Sequence, residues 1–465
     1  MSAAGHATTL AEVLGLGWAL GMALFTSLLF ALYLGGALST ATTWGALALA
    51  VAAVASGAGA LARTRRGGAD AERGRGAVMA VGLALAAAQV AFATWMTLRS
   101  PLFFWDAWTT WGFKARMFAL GGPPRSYFQD GYTSFTHPDY PLNLPLAESA
   151  LLRFGGPLGL PLAGLLGPAC LLALLLLVYA GLSRLYGRST AALAAGTLAF
   201  VPDLTHWAAM GYADVPLAMY AGAASLYLLL WWRQRRLVDA LLMGLLAGAA
   251  VWTKKEGMVI AALLVLVHAG GEVLRRDARV GARLCSSVQA ILAALAVPLP
   301  WLLFKATTDP IGVDYRPLTP AWFLAHLGRL PTIVVLVGRE MLDLPHWSLF
   351  WVALAGLPVV TVWWLSACGR GLLALLLGQV GILYTLPFVF SAWQPYTEHI
   401  HLSADRLLVQ AAPLALLLFV ETVDALSRRP AFVGEDVAAR ANKEALLTRS
   451  GGHSRLSTPG RSERG

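Results

Sequence analysis

The sequence predicts an all-α, polytopic integral membrane protein with about twelve transmembrane helices and a long extracytoplasmic loop. Three observations predict this class. Hydrophobic residues make up 57% of the 465 residues, and charged residues only 13%. Uncharged runs of roughly 18 to 25 residues recur along the chain, which is the length that a helix needs to cross a bilayer. These runs are rich in Leu and Ala and do not alternate, which is typical of helices and not of a β-barrel.

Each predicted span is an apolar run between two polar or Gly/Pro-containing segments. The spans lie at residues 12–37, 40–62, 77–98, 158–182, 189–203, 214–232, 238–253, 257–270, 284–304, 346–367, 371–391 and 405–426. The segment 140–156 is also apolar enough to enter the membrane. A full crossing there would place the next basic loop outside, against the usual charge bias. We therefore predict a partial or juxtamembrane helix at this segment.

The arginines of the short loops predict the orientation, because such loops face the cytoplasm. They are Arg63, Arg65, Arg66, Arg73, Arg75, Arg184, Arg188, Arg233, Arg235, Arg236, Arg275, Arg276, Arg279 and Arg283. Both termini then lie in the cytoplasm, and the segments 99–145, 203–213, 305–345 and 392–404 lie outside. No cleavable signal peptide is predicted, since the amino end lacks a basic region before its first apolar run.

The three cysteines do not indicate a disulfide framework or a metal site. Cys170, Cys285 and Cys368 are scattered, and each lies in or beside an apolar run. Neither a CxxC pair nor another ligand spacing is available to them. Buried thiols are the interpretation that this pattern favours.

The loop at 99–145 carries many polar and aromatic residues. A protein does not need such residues merely to sit in a bilayer. They are Trp105, Asp106, Trp108, Trp111, Lys114, Arg116, Tyr132, His137, Asp139 and Tyr140. Function is the first explanation to test for such a set. Two structural alternatives stay open: an ion pair of Asp106 with Lys114 or Arg116, and an interfacial belt for the tryptophans.

Three further polar clusters are predicted on the same outer face. Asp214 stands at a helix start before Val-Pro, where it could be only an N-cap. Lys254, Lys255 and Glu256 form a tight outward turn, against the bias that places lysines inside. The last cluster lies at 393–406 and contains Tyr396, Glu398, His399, His401, Asp405 and Arg406. Its histidines are two residues apart, which is not a zinc-site spacing, although a ligand role stays open.

The order of these motifs resembles the GT-C superfamily of membrane glycosyltransferases, in particular the protein O-mannosyltransferase and lipid A aminoarabinose transferase branch. Asp106 is similar to the acidic residue of the first large outer loop in that superfamily. His137-Pro138 and the later Asp214-Val215-Pro216-Leu217 follow in the same order. The pair Asp405-Arg406, with Pro413 after it, is similar to an Arg-then-Pro pattern that opens a late helix.

The resemblance covers roughly residues 77–425 and shows two departures. The second motif reads His-Pro-Asp where the family has His-Pro-Pro. Two extra predicted helices also precede the one that leads into the catalytic loop. The domain organisation is then predicted as 1–76, with two additional helices and a basic loop; 77–426, a GT-C-like catalytic domain; and 427–465, a disordered basic cytoplasmic tail.

The resemblance implies transfer of a sugar from a polyprenyl-phosphate carrier to an extracytoplasmic acceptor, with inversion at the anomeric carbon. Asp106 and Asp214 are the implied catalytic residues, with Asp106 as the base that accepts the acceptor's proton. The implied substrate-binding residues are His137, Asp139, Lys254, Lys255, Glu256, Arg406, Trp105, Trp108 and Tyr140. The cationic members of this set would meet the charge that collects on the departing phosphate.

The partners that follow are a polyprenyl-phosphate sugar donor, an acceptor that the sequence does not specify, and the lipid bilayer of the plasma (inner) membrane. Nucleic acid is not among them. No cofactor is indicated, and a divalent metal is compatible with the polar residues without being indicated by any ligand spacing.

Two other classes of membrane protein also have many helices. A secondary transporter should show internal two-fold repetition and ionisable residues at mid-membrane depth, and neither is seen in the sequence. A lipid- or polysaccharide-handling protein without transferase activity would explain the helices but not four polar clusters on one face. Convergence of Asp106, Asp214 and Lys254 or Lys255 on one outward cavity would favour the transferase.

Overall fold

The structure is a computed structural model that describes residues 3–64, 76–275 and 280–428. Within these ranges all regular elements are helical, apart from an isolated antiparallel bridge between Tyr315 and Ser391. The predicted all-α class is confirmed for this part of the chain. Several arginines of the charge argument and most of the predicted basic tail lie outside the described residues: Arg65, Arg66, Arg73, Arg75, Arg276, Arg279 and 429–465.

The α-helices are numbered in chain order, and short 3₁₀ and π turns lie between some of them. They are α1 (Ala3–Leu34), α2 (Thr40–Thr64), α3 (Gly76–Arg99), α4 (Phe113–Ala119), α5 (Asn143–Phe154), α6 (Gly159–Gly164), α7 (Leu166–Tyr186), α8 (Arg188–Ala199), α9 (Pro202–Ala209), α10 (Asp214–Gln234), α11 (Leu237–Thr253), α12 (Glu256–Leu274), α13 (Val280–Ala296), α14 (Leu299–Thr308), α15 (Pro320–His326), α16 (Leu330–Met341), α17 (Leu344–Trp347), α18 (Gly356–Val360), α19 (Ala367–Leu377), α20 (Tyr396–His401) and α21 (Ala404–Ser427).

Fewer helices reach the length of a span than the sequence predicted. The described residues contain nine helices long and apolar enough to cross a membrane, or ten if α13 and α14, bent by 59°, form one span. The predicted spans at 238–253 and 346–367 correspond to the shorter apolar helices Leu237–Thr253 and Trp351–Val360. The span predicted at 189–203 corresponds to α8, which has 12 residues. The count of about twelve therefore exceeds what helix length supports.

The run Pro320–Met341, which comprises α15 and α16, is long and apolar enough to span, although it was predicted as part of an outer loop. Its contacts place both of its ends near one end of the bundle. Trp322 Nε1 donates to the Val389 carbonyl at 3.4 Å, and His346, just after the run, lies 3.9 Å from Asp203.

Small residues allow neighbouring helices of the bundle to approach closely. A Cβ on Gly222 of α10 would lie 2.5 Å from the Cβ of Pro413 in α21, and one on Gly248 of α11 would lie 2.5 Å from the Ala294 carbonyl oxygen in α13. Such contacts are typical of helix packing in membranes. We call α7, α10 and α21 the central helices. Most residues in the 18-residue apolar stretch of each are buried, at 78%, 94% and 83% respectively.

Charged side chains collect at the two ends of these central helices. At one end, Arg184 lies 3.1 Å from Glu12 and 3.3 Å from Asp239, and Arg233 pairs with Glu421. We call this the basic end, because it holds arginines that were predicted to face the cytoplasm. The opposite end, where α10 and α21 begin and α11 ends, is called the site end.

The helix α5 is buried beside the site end and has 12 residues, too few for a full crossing. Asn143 at its start accepts a hydrogen bond from Thr26 at 2.7 Å and donates one to Thr253 at 2.9 Å. It thereby joins α1, α5 and α11. This agrees with the prediction of a partial helix at 140–156.

Candidate functional site

Asp106 stands immediately before a π-helical turn, Ala107–Gly112, at the site end. Its carboxylate accepts a hydrogen bond from the guanidinium of Arg406 in the first turn of α21. The backbone N–H of Asp106 donates to the Tyr212 hydroxyl at 3.1 Å, and the Arg406 guanidinium lies 5.2 Å from the centroid of the same ring. The side chains of Asp106 and Arg406 are 26% and 17% exposed. The pair is therefore accessible to a substrate.

The local ion pair that was an alternative for Asp106 is not formed. Lys114 Nζ donates to the His137 carbonyl at 2.9 Å, and the Arg116 guanidinium lies 4.1 Å from the centroid of the Trp108 ring. Asp106 instead binds Arg406, which is 300 positions away in the sequence. A contact of that separation fixes the loop to the last described helix.

Asp214 is a buried carboxylate in the first turn of α10. Its Oδ1 accepts hydrogen bonds of 2.7 Å from both Lys254 Nζ and Gln410 Nε2. The alternative that Asp214 is only an N-cap is wrong, because Ala213 occupies the cap position and the Asp214 carboxylate contacts side chains of two other helices. Gln410 lies one turn after Arg406 on α21, so one face of that helix contacts both Asp106 and Asp214.

The turn before α10 brings Tyr212 against the loop that carries Asp106. Gly211 has a φ of +74°, and a Cβ there would lie 2.4 Å from Cδ2 of Leu102. A larger residue would therefore be strained in its backbone and would push the two segments apart. Glycine at 211 allows the contact between Tyr212 and Asp106.

A second polar group lies beside the first and surrounds Lys255. The Lys255 ammonium pairs with Asp139 and lies 4.4 Å from the centroid of the Tyr140 ring. The neighbouring Lys254 also contacts Glu256 at 3.1 Å. Because the two lysines are consecutive, the turn between α11 and α12 joins the Asp214 group to the Asp139 group.

His137 and Asp314 extend this second group. His137 adopts a left-handed backbone with a φ of 50°, and its Nδ1 lies 3.2 Å from Asp314 Oδ2. Although burial raises the pKa of Asp314, the contact with His137 outweighs it and holds the pKa below its usual range. Asp314 was missed by the sequence analysis, since a single Asp in a predicted outer loop belongs to no motif.

Lys114 is fully buried beneath the loop. Its Nζ lies 5.1 Å from the centroid of the Trp111 ring and 5.8 Å from that of Tyr140. Burial lowers the pKa of Lys114 to about 7. Burial likewise raises the pKa of the Glu148 carboxyl on α5, against the opposing effect of Lys114. The charged form of the Lys114 ammonium is therefore poorly stabilised in the folded loop.

Lys114 should make the stability of the protein depend on pH. The unfolded chain binds this proton up to about pH 10.5, whereas the folded chain releases it near pH 7. The free energy of unfolding should therefore rise with pH across this window. We expect the melting temperature of the wild type to increase relative to Lys114→Met between pH 7 and pH 9. An Arg116→Met control should show no such trend, and a constant difference between wild type and Lys114→Met would contradict the assignment.

The late cluster contributes Arg406 to the site, while its histidines have other surroundings. His399 is buried, its Nδ1 lies 2.9 Å from Ser391 Oγ, and its ring stacks on Trp393 at 4.8 Å. Burial lowers the pKa of His399 to about 4, so this imidazole is neutral at pH 7. Glu398 and His401 are exposed.

The aromatic residues divide into an exposed set and a site set. Trp105, Trp108 and Tyr132 are 72%, 51% and 92% exposed, which suits a bilayer interface or an open platform for a sugar. Tyr212 and Trp207 instead flank the guanidinium of Arg406, with the Trp207 centroid at 5.7 Å. Trp207 was not singled out in the sequence, because it lies in a short helix without a motif.

The comparisons with known proteins bear on the domain that contains Asp214 and the two lysines. Residues 162–304 match a family model described as dolichyl-phosphate-mannose-protein mannosyltransferase, which spans less than a third of the chain. A comparison with curated proteins finds no match. The predicted resemblance is confirmed for this segment by the family match. Residues 162–304 are thus similar to the dolichyl-phosphate-mannose-protein mannosyltransferase family, in a chain whose described residues contain nine or ten helices long and apolar enough to cross a membrane.

Proposed function

We propose that this protein is a GT-C-type membrane glycosyltransferase that transfers a sugar from a polyprenyl-phosphate donor to an extracytoplasmic acceptor, with inversion at the anomeric carbon. The observation that carries the proposal is the convergence of Asp106, Asp214 and Arg406 at the site end. Inverting transfer needs one carboxylate to take the acceptor's proton and cations to stabilise the departing phosphate. This site contains two carboxylates and the cation of Arg406. The α21 residues that contact the carboxylates, Arg406 and Gln410, lie one turn apart.

Asp106 is the proposed base. It is the more exposed of the two carboxylates, with 26% of its side chain accessible against 1% for Asp214. Its partial exposure leaves the carboxylate accessible to an acceptor. Asp214 is held by Lys254 and Gln410, so its proposed role is to keep that end of the site in place and to balance the charge near Arg406.

The phosphate is proposed to meet Arg406 and Lys255. Charge that grows on a leaving phosphate is best met by cations that are already in position and can still be reached. Lys255 is 23% exposed, whereas Lys254 is 7% exposed and contacts both Asp214 and Glu256. Of the two lysines, Lys255 is therefore the phosphate ligand in this proposal, and Lys254 positions Asp214. His137 would approach the phosphate from the Asp314 side.

The remaining binding residues are proposed to form the walls of the donor site. Asp139 and Tyr140 hold Lys255, through an ion pair and a ring contact respectively. The exposed Trp105 and Trp108 are proposed as a platform for the sugar or as an anchor in the bilayer interface. The division into residues 1–76, 77–426 and 427–465 remains part of the proposal, with the family match inside the middle segment.

The site end is proposed to face outward from the plasma (inner) membrane. The arginines at the basic end support this orientation, because short basic loops stay in the cytoplasm. Lys254 follows the last residue of α11 at the site end, whereas Arg236 precedes the first residue of the same helix at the basic end. Both termini then lie in the cytoplasm.

Thiol labelling in intact cells should test this orientation. Cys170, Cys285 and Cys368 would first be replaced by Ala, and a single cysteine would then be placed at Tyr132 or at Arg236. Both positions are exposed in the structure. An impermeant maleimide should label the cysteine at 132 and should label the one at 236 only after permeabilisation. The reverse pattern would invert the proposed orientation.

The stereochemistry of the product should test the proposed inversion. A donor with a β-linked sugar phosphate should give an α-linked product when a single displacement occurs, because the acceptor attacks opposite the leaving phosphate. NMR coupling constants of the anomeric proton measure this directly. A product with retained configuration would require a covalent or front-face pathway and would contradict Asp106 as a simple base.

A further inference from the structure

We propose that Asp203, Glu340 and His346 form a binding site for a divalent metal ion of the zinc type, next to the donor site and separate from it. One ligand atom from each of these residues lies within 4.8 Å of the other two. Glu340 Oε1 lies 2.7 Å from His346 Nδ1, and Asp203 Oδ2 lies 3.9 Å from the same nitrogen. An imidazole with two carboxylates is a ligand set that zinc uses in proteins.

The spacing of these atoms fits a metal after small side-chain movements. Ligands at about 2.0 to 2.2 Å from a tetrahedral zinc are separated from each other by about 3.3 to 3.6 Å. The distances of 2.7 and 3.9 Å to His346 Nδ1 lie on either side of that range. The His346 side chain is 40% exposed, which leaves room for the ion to enter and for water as a fourth ligand.

An unpartnered buried oxygen points independently to a ligand. The Asp203 side chain is 8% exposed, and its Oδ2 has no hydrogen-bond partner among the described residues. A buried carboxylate oxygen without a partner is costly, and native proteins normally satisfy it. This oxygen is also the atom that faces His346. A cation at the centre of the three residues would satisfy it.

The surroundings of the three side chains are those of a supported metal site. Trp347 Nε1 donates to Glu340 Oε1 at 3.1 Å and thereby orients the carboxylate. Such outer hydrogen bonds are a regular feature of protein metal sites. The three residues come from α9 and from the consecutive helices α16 and α17, which lie far from α9 in the sequence. A bound ion would hold these elements together.

The site would act on the donor site through α9. This helix carries Trp207, which lies over the Arg406 guanidinium. Asp203 stands in the first turn of the same helix. An ion held by Asp203 would therefore fix the position of α9 and of the aromatic wall beside Arg406. This role is positional, since none of the three ligands contacts Asp106 or Arg406.

Zinc binding to the purified full-length protein tests the proposal. Protein stripped with EDTA would be dialysed against Zn²⁺ alone, and the bound metal would be counted by mass spectrometry and followed by thermal unfolding. We expect about one zinc per chain and a higher melting temperature with the metal. His346→Gln and Asp203→Asn should each weaken zinc binding by at least about tenfold and remove the thermal shift.

The exposed His401 provides the matched control. His401→Gln removes an imidazole at the same end of the protein but outside the three-residue cluster, and it should keep both the bound zinc and the thermal shift. His346 is partly exposed, so its variant should fold even if Asp203→Asn does not. Zinc content and thermal shift that persist in His346→Gln would place the ion elsewhere and overturn the proposal. Absence of stoichiometric zinc in the wild type would overturn it as well.

Discussion

Replacing Asp106 by Asn should reduce sugar transfer by at least about a hundredfold while the protein stays folded. The amide keeps the shape of the side chain but cannot accept the acceptor's proton. Its oxygen can still accept the hydrogen bond from Arg406, so the loop should remain attached to α21. Initial rates of transfer at saturating donor measure the effect.

The controls separate a catalytic carboxylate from a structural one. Asp130→Asn changes a carboxylate in the same loop whose role is to accept the Tyr132 N–H at 2.9 Å, a bond that Asn can also accept. It should leave the rate nearly unchanged. Asp106→Glu keeps the charge and the ion pair but moves the oxygens, so a base in a fixed geometry should lose much of its rate. Full activity in Asp106→Glu together with a stability loss in Asp106→Asn would make the residue structural.

The two consecutive lysines should behave differently when changed singly. Lys255→Gln should lower the donor kcat/KM by more than about tenfold with little change in acceptor affinity, because it removes a reachable cation that strengthens its contact as the phosphate leaves. A solvated lysine would contribute less than about 1 kcal/mol. The exposed Arg236 at the basic end is the control, and Arg236→Gln should leave donor kinetics unchanged.

Lys254→Gln should mainly destabilise the protein. It removes the partner of a carboxylate that is 1% exposed, and breaking a buried ion pair in this way costs about 3 to 5 kcal/mol. Thermal unfolding would show the loss, and a conservative Lys254→Arg change should restore part of it. If Lys255→Gln uses the donor as the wild type does, the phosphate site must be assigned to Arg406 and His137.

The fold class followed from composition, but the number of full-length spans did not. Apolar runs identify helices because a bilayer requires satisfied backbone groups over about 30 Å. The same runs do not report where a helix ends once it is buried among others. The 12-residue α8 and the 17-residue α11 read as spans in the sequence. Pro320–Met341 shows the opposite case. Its hydropathy is that of a span, but Trp322 near its start contacts Val389, and His346 just after its end lies near Asp203.

The contacts of the candidate site were predictable where its residues belong to ordered motifs. Asp106, Asp214, Lys254 and Arg406 were candidates before the structure, and the structure brings them together. Gln410, Asp314 and Trp207 were not, because each is a single residue whose partner is far away in the sequence. The cluster of Asp203, Glu340 and His346 was also not predicted, since α9 meets the consecutive helices α16 and α17 only in the folded chain.

The most direct measurement is sugar transfer by the purified protein from a panel of radiolabelled polyprenyl-phosphate sugars, in the presence of membrane and cell-envelope extract as acceptor. Wild type, Asp106→Asn and Asp130→Asn would be compared at equal amounts of folded protein. We predict that wild type and Asp130→Asn consume at least one donor at the same rate, and that Asp106→Asn does so at about a hundredth of that rate or less. Consumption of no donor by the wild type, or equal consumption by all three proteins, would contradict the proposed transferase site.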